Sequence, residues 1–294
     1  MQGLILLDKP KGITSFGAVS AVKRAACEKR VGHTGTLDPM ATGVLTVLLG
    51  KATALSSLML DADKRYTAKI KLGITTDTDD ITGETLSHKA VDISKAELKA
   101  VLNSFISKIE QIPPMYSAIK KDGVRLYKLA RDGKSIDLPA RSIEIFDIKL
   151  TKVLEDDEFV IETHVSKGTY IRSLARDIGE KLGCGATLTE LKRTYASGFS
   201  ICDCVNVEKL NSENITEYLL NEELAVAHLR EINVTEKQAI RFCNGGQLGF
   251  ERIKVQNIMQ DELFRVKFAE KLLGVGFADF EKSQIGIKCV INKP

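Results

Sequence analysis

Apolar and polar residues along the chain follow two rhythms, and these divide it into elements. A continuous apolar run, GLILLD, closes at Pro10 and Gly12 and reads as a short buried strand. In TSFGAVSAVKRAACEKR, Phe16, Val19, Val22 and Ala26 recur at helical spacing, with Thr14 or Ser15 placed to cap the helix. VLTVLLG is a second apolar strand, and KRYTAKIKLG (Lys64–Gly73) alternates as a half-buried strand does. ISKAELKAVLNSFISKI predicts a strong helix: Ser94 and Glu97 make a capping box, and Leu98, Val101, Leu102, Phe105, Ile106 and Ile109 share one face. IEIFDIKLTKVL and EFVIETHVS form a hairpin around an acidic EDD turn, and SKGTYIRSLARDIGEKLGCG is a second helix with Gly183 and Gly185 near its end.

From about Ile232 the pattern changes. VTEKQAIRFCNGGQL is a short helix and glycine turn, followed by the short alternating strands FRVKFAE, LLGVGFAD and IGIKCVIN. This predicts a small β-rich unit over residues 231–294, near the lower size limit for independent folding. Strands and helices mix without regular βαβ alternation, so the expected class is α+β with a mixed, mostly antiparallel central sheet and flanking helices.

Composition narrows the partners and the compartment. Hydrophobic residues are 44% of 294, enough for a real core, yet no apolar run approaches a membrane span. The N-terminus reaches Asp8 and Lys9 too soon for a secretory signal, so a cytoplasmic protein is expected. The six cysteines make no CxxC pair; Cys202 and Cys204 are expected on one face of a strand-like run, and the six as reduced, mostly buried thiols rather than zinc ligands. A net charge of +3 permits nucleic-acid binding only if the cations gather on one face. KKDGVRLYKLARDGK, which follows the Pro113–Pro114 break, is where they gather.

Three familiar chemistries fail on inspection. GVLTVLLGKAT puts an apolar strand where a phosphate loop needs a loop, and Ala52 where it needs Ser or Thr. TDTDDITGE (Thr76–Glu84) has the acid density of a calcium loop but not its Gly and Glu positions, and reads as a solvated turn. No GxSxG elbow supports a serine hydrolase.

What remains is GHTGTLDPMATGVL, Gly32–Leu45. Asp before Pro commonly starts an Asx turn. Here three glycines allow close backbone approach, and Thr34, Thr36 and Thr42 are placed to donate to Asp38. A carboxylate held and partly desolvated in this way can act as a nucleophile or a general base.

The stretch resembles the catalytic-loop signature of the pseudouridine synthases in their TruB form. KPKGITS (Lys9–Ser15), KRYTAKIKLG, SKGTYIRSLARDIGEKLG and LTELKRTYASGFSI resemble further motifs of that family, in order, over roughly the first 200 residues. The tail is similar to the family's small RNA-binding PUA domain. The resemblance implies a synthase domain over 1–230, with a basic RNA-clamping insertion at about 113–141, and a PUA-like domain over 231–294. It implies isomerisation of uridine-55 in the tRNA T-loop to pseudouridine, with no cofactor, no metal and no membrane, by a monomer acting on the T-arm.

The resemblance also assigns roles. Asp38 is the catalytic carboxylate, Arg172 its partner, and Tyr66 the residue against the uracil that serves in proton transfer. Tyr170 and Leu191 line the pocket, and Lys9 and Pro10 support the loop. His33 is the wedge that fills the space left by an extruded base. Lys120, Lys121, Arg125, Lys128, Arg131 and Lys134 clamp phosphates, with Tyr116 and Tyr127 interleaved. One departure is Tyr195–Ala196, where a basic residue is expected. Two rival classes are a non-catalytic RNA-binding or tRNA-folding protein, which does not need Asp38, and a small-molecule hydrolase, whose binding ignores salt.

Overall fold

Alternation along Lys64–Leu72 buries Tyr66, Ala68, Ile70 and Leu72 on one face, and this strand lies inside a large sheet. The structure, a computed structural model, describes residues 1–114, 116, 120–121, 124–125, 138–155 and 157–294. Its strands up to residue 206 are β1 (Gly3–Lys9), β2 (Val31–His33), β3 (Thr42–Leu49), β4 (Lys64–Leu72), β5 (Ile74–Thr76), β6 (Thr85–His88), β7 (Lys108–Gln111), β8 (Lys120–Lys121), β9 (Val124–Arg125), β10 (Arg141–Val153), β11 (Glu158–Val165), β12 (Ala186–Ala196), β13 (Phe199–Ser200) and β14 (Val205–Asn206). The helices are α1 (Ser15–Ala25), α2 (Ser56–Met59), α3 (Lys95–Asn103), α4 (Ile171–Leu182) and α5 (Glu236–Cys243).

Among the described residues, ten strands make one sheet in the order β14-β1-β3-β12-β4-β11-β10-β7, with β2 on β3 and β13 on β12. Only β1/β14 and β3/β12 run parallel, so the sheet is mixed and mostly antiparallel, as expected for α+β. A second sheet holds β15 (Arg230–Asn233), β16 (Leu248–Gly249), β17 (Leu263–Phe268), β18 (Lys271–Asp279) and β19 (Gln284–Val290), in the order β15-β17-β18-β19-β16.

The core has distinct parts. Leu174, Ala175 and Ile178 of α4 pack with Leu98 and Leu102 of α3 on one face of the large sheet. Val19 and Val22 of α1 pack on Ile5, Leu45 and Val47. A further cluster joins the two sheets: Leu4 and Leu48 meet Leu272, Val275 and Ile291.

Some expectations need correction. Phe16 is 76% exposed, because α1 buries Ser15, Ala18, Val19 and Val22, and Phe16 lies one step of about 100° round from Ser15. The helix over the capping box is real but stops at Asn103; Ile106 is exposed and Ile109 belongs to β7. Cys202 sits on a 3₁₀ turn (Ile201–Asp203) capped by Ser200, with Cys204 just after it, not on one face of a strand; and the thiols are not mostly buried, since of the six only Cys184 is.

Candidate active site

The loop between β2 and β3 is pinned from several sides. Ser15, at the start of α1, donates its hydroxyl to Leu37 O (3.0 Å) and accepts from Leu37 N (2.8 Å), and Gly12 N donates to Pro39 O (2.8 Å). Arg193 of β12 donates to Val44 O (2.8 Å) and to Gly35 O (3.0 Å). Its backbone also faces Gly43 across the parallel β3/β12 pair. Gly43 has φ +103°, and a Cβ there would collide with Arg193 O, so no other residue fits this contact without displacing a strand. Lys9, fully buried, donates to Pro10 O (2.9 Å) and Ile13 O (2.8 Å).

The loop holds Asp38 against the first turn of α4. Tyr170 stands at the N-cap, its backbone fixed by Gln111, which accepts from Tyr170 N (2.9 Å) and donates to Tyr170 O (3.1 Å). Two residues on, Arg172 places Nε 2.9 Å from Asp38 Oδ2. The other guanidinium nitrogens reach Thr78 O (3.2 Å), Tyr116 O (2.9 Å) and Asp80 Oδ2 (3.7 Å). Burial pushes the Asp38 carboxyl above its ordinary value; Arg172 opposes that shift and Asp80 adds to it. The hydroxyls of Thr34 and Thr42 do not serve Asp38: they contact Ser197 and Leu191 O instead.

TDTDDITGE is therefore not a solvated turn. Asp80 is buried, its Oδ1 accepting from Thr78 Oγ1 (3.0 Å), Thr82 N (2.9 Å) and Thr82 Oγ1 (2.5 Å). Asp79 takes Arg176 of α4 at 2.9 Å, and burial still raises it to about 6. The turn anchors Arg172 from behind. Among the described residues no cluster of His, Cys, Asp and Glu suits a metal ion.

A cavity of 340 Å³ opens beside the pair, and Asp38, Tyr66, Tyr170, Arg172 and Leu191 all line it. Register brings them together: in the β4/β12 pair Ala68 faces Leu191 and Tyr66 faces Arg193. Tyr66 is buried at the cavity wall. Lys64 and Arg193 complete one wall. A cavity of this volume lies toward the small end of the range for small-ligand sites.

His33 is not among the lining residues. It ends β2 rather than lying in the loop, and its Nδ1 is buried with no partner among the described residues. Burial and the nearby Arg193 lower its pKa, so the ring is neutral at pH 7. Lys120 and Arg125 fall on β8 and β9, which pair as a ribbon; their side chains, Arg131 and most of the basic run lie outside the described residues. Where a basic residue was expected at Tyr195–Ala196, Arg65 of β4 stacks on the Tyr195 ring at 5.3 Å. Gln111, Asp80 and Arg193 are the site's supports that sequence reasoning did not single out. Only Arg193 carried a signal, a charged residue two places from Leu191 on a strand, hence on the same face.

The chain is similar throughout to known proteins. Family models match in succession: TruB family pseudouridylate synthase (N terminal domain) over residues 23–171, and tRNA pseudouridylate synthase B C-terminal domain over residues 172–232. It is 43% identical to a tRNA pseudouridine synthase B of Clostridium tetani over 292 residues, covering 99% of both chains. It is 40% identical to that of Shewanella amazonensis, covering 94% of this chain and 90% of the other. Among solved structures, a Cbf5-Nop10-Gar1 complex matches with TM-score 0.78 at 26% identity, over 99% of this chain and 85% of that one. The archaeal box H/ACA sRNP Nop10-Cbf5 complex matches with TM-score 0.75 at 26% identity, over 99% and 86%.

Proposed function

The chain belongs to the TruB family of pseudouridylate synthases, and on that premise we propose that it isomerises uridine-55 in the T-loop of tRNA, with Asp38 as the catalytic carboxylate. The observation that carries this reading is the 2.9 Å Asp38–Arg172 pair in the wall of a cavity that also presents Tyr66. The reaction breaks the C1′–N1 bond, turns the base, and forms C1′–C5. C5 loses its proton and N1 takes one up, so the product is an isomer and no redox partner is needed.

Asp38 assists as a nucleophile toward the sugar or the base. Arg172 keeps it ionised and aimed while burial raises its energy, which favours attack. Tyr66 lies against the uracil and takes part in proton transfer. Tyr170 and Leu191 close the pocket. Extruding the base from a stacked loop costs a few kcal/mol. The neutral ring of His33 fills the space it leaves. Lys120, Arg125 and Arg131 hold T-arm phosphates. Residues 1–230 form the synthase domain and 231–294 a PUA-like RNA-binding domain. The chain acts as a monomer in the cytoplasm.

The test is tritium release from a T-arm stem-loop carrying [5-³H]uridine at the target position. Wild type is expected to release tritium and Asp38→Asn is not. Release by both removes Asp38 from the chemistry, and binding without release by wild type defeats the enzyme reading for this RNA.

A further inference from the structure

The segment Asp61-Ala62-Asp63-Lys64 enters β4 with two acids beside one lysine, and in isolation it would neutralise itself. The fold separates those charges. Asp61 pairs with Lys167 at 2.8 Å, and Asp63 pairs with His164, which also packs against Phe146 with ring centroids 4.8 Å apart. Both partners come from β11 and the turn after it, the turn that leads to Tyr170. Lys64 is left without a carboxylate within 4.0 Å among the described residues. Its ammonium is held only by Ala62 O at 2.6 Å and Leu60 O at 3.3 Å, and the residue lines the same cavity as Asp38 and Tyr66. An ammonium has three donors, so two carbonyls leave one.

Its surroundings sharpen the point. Arg193, in the same cavity wall, has its bonds to carbonyls only and no carboxylate partner among the described residues. Burial, with Arg193 adding to it, lowers Lys64 to about 8, and the carboxylates of Asp63 and Asp61 only partly oppose that shift. The cavity therefore has an acidic pole at Asp38, matched by Arg172, and a cationic pole at Lys64 that no carboxylate among the described residues contacts. A nucleotide unit brings the complementary charge, because every base that enters the cavity arrives with phosphodiesters on either side of its ribose.

We propose that Lys64 binds a phosphodiester flanking the nucleotide in the cavity, and so fixes the ribose relative to Asp38. The inference rests on the cavity being the nucleotide site. It makes Lys64 a substrate-binding residue whose free donor is created by the Asp61–Lys167 and Asp63–His164 pairs.

The experiment uses the full chain and two stem-loop RNAs, one natural and one with neutral methylphosphonate linkages on both sides of the target uridine. Wild type, Lys64→Gln and Lys64→Arg are compared by tritium release and by binding across a salt series, with melting curves to confirm folding. For Lys64→Gln the expected result is a KM raised about tenfold with little change in kcat, and a log–log salt slope shallower by about 0.7. Lys64→Arg is expected to restore both. The methylphosphonate RNA is expected to weaken wild type but not to weaken Lys64→Gln further, which ties the effect to that phosphate. Additive losses overturn the inference, as does a fall in kcat alone with the salt slope unchanged. Normal wild-type turnover with an unaffected Lys64→Gln overturns this inference only, whereas no wild-type release on the natural RNA overturns the reading of the site as well.

Discussion

Arg172 and Asp80 form a second ion pair behind the first: while Nε holds Asp38 at 2.9 Å, Nη1 lies 3.7 Å from Asp80 Oδ2, which is tied in turn to its own loop. The guanidinium is thus fixed on both sides. Asp80→Asn is expected to slow the isomerisation about tenfold to 100-fold by loosening that hold. It also removes a negative charge that raises Asp38, so the acid limb of the pH–rate profile should move down. Arg172→Gln removes the opposing charge, and its acid limb should move up. A pH series of kcat/KM for the two variants checks both directions.

Burial of the Asp38 carboxyl bears on stability as well as on the proposed chemistry. Its folded-state pKa is raised, so between the ordinary 3.8 and the raised value the folded protein binds more protons than the unfolded chain. Stability from this group is present below 3.8 and is lost as pH rises through the folded value. Asp38→Asn, neutral at every pH, is therefore expected to melt no lower than wild type at pH 7, with the difference shrinking toward pH 3. A set of melting curves against pH is the measurement.

Gly43→Ala tests the support rather than the chemistry. The added methyl meets Arg193 O in the β3/β12 pair and demands a left-handed φ. A loss of roughly 2 kcal/mol or more in urea unfolding is expected, together with lost activity, because the same strands root the Asp38 loop.

Much of this was legible beforehand where the cause is local. The Ser94–Glu97 box caps α3, Gly183 at φ +82° ends α4, and alternation in Lys64–Leu72 put Tyr66 on the buried face. Asp38 stood out because its glycines and proline are neighbours in sequence. What was missed depends on partners far along the chain. Asp80 reads as one acid in a polar turn until Arg172 arrives from 92 positions away. Phe16 fits a helical period, but where α1 starts decides which stripe faces the sheet. Thr34 and Thr42 surround Asp38 in sequence, and strand pairing turns them elsewhere.

The wedge role proposed for His33 predicts a dependence on substrate structure. His33→Ala should raise KM more on a folded stem-loop than on an unstructured oligonucleotide of the same sequence, since only the first must be unstacked. His33→Phe keeps a ring and should lose less. Equal effects on both RNAs would leave His33 without that role.

Neutralising Lys120, Arg125 and Arg131 together should weaken RNA binding without touching the single-turnover rate at saturation. Three lost phosphate contacts should flatten the log–log salt slope by about 2 to 3. A titration series at several salt concentrations decides it.

The apolar seam between the sheets, where Leu4 and Leu48 meet Leu272, Val275 and Ile291, bears on how an RNA is received. Units joined only by a polar contact swing relative to one another by default. Here β1 and β3, which root the Asp38 loop, share a dry core with β18, and Gln2 bonds Asn292 at 2.9 Å alongside it. A substrate that touches both sheets meets a surface whose geometry was settled when the chain folded, so none of its association free energy goes into immobilising one half against the other.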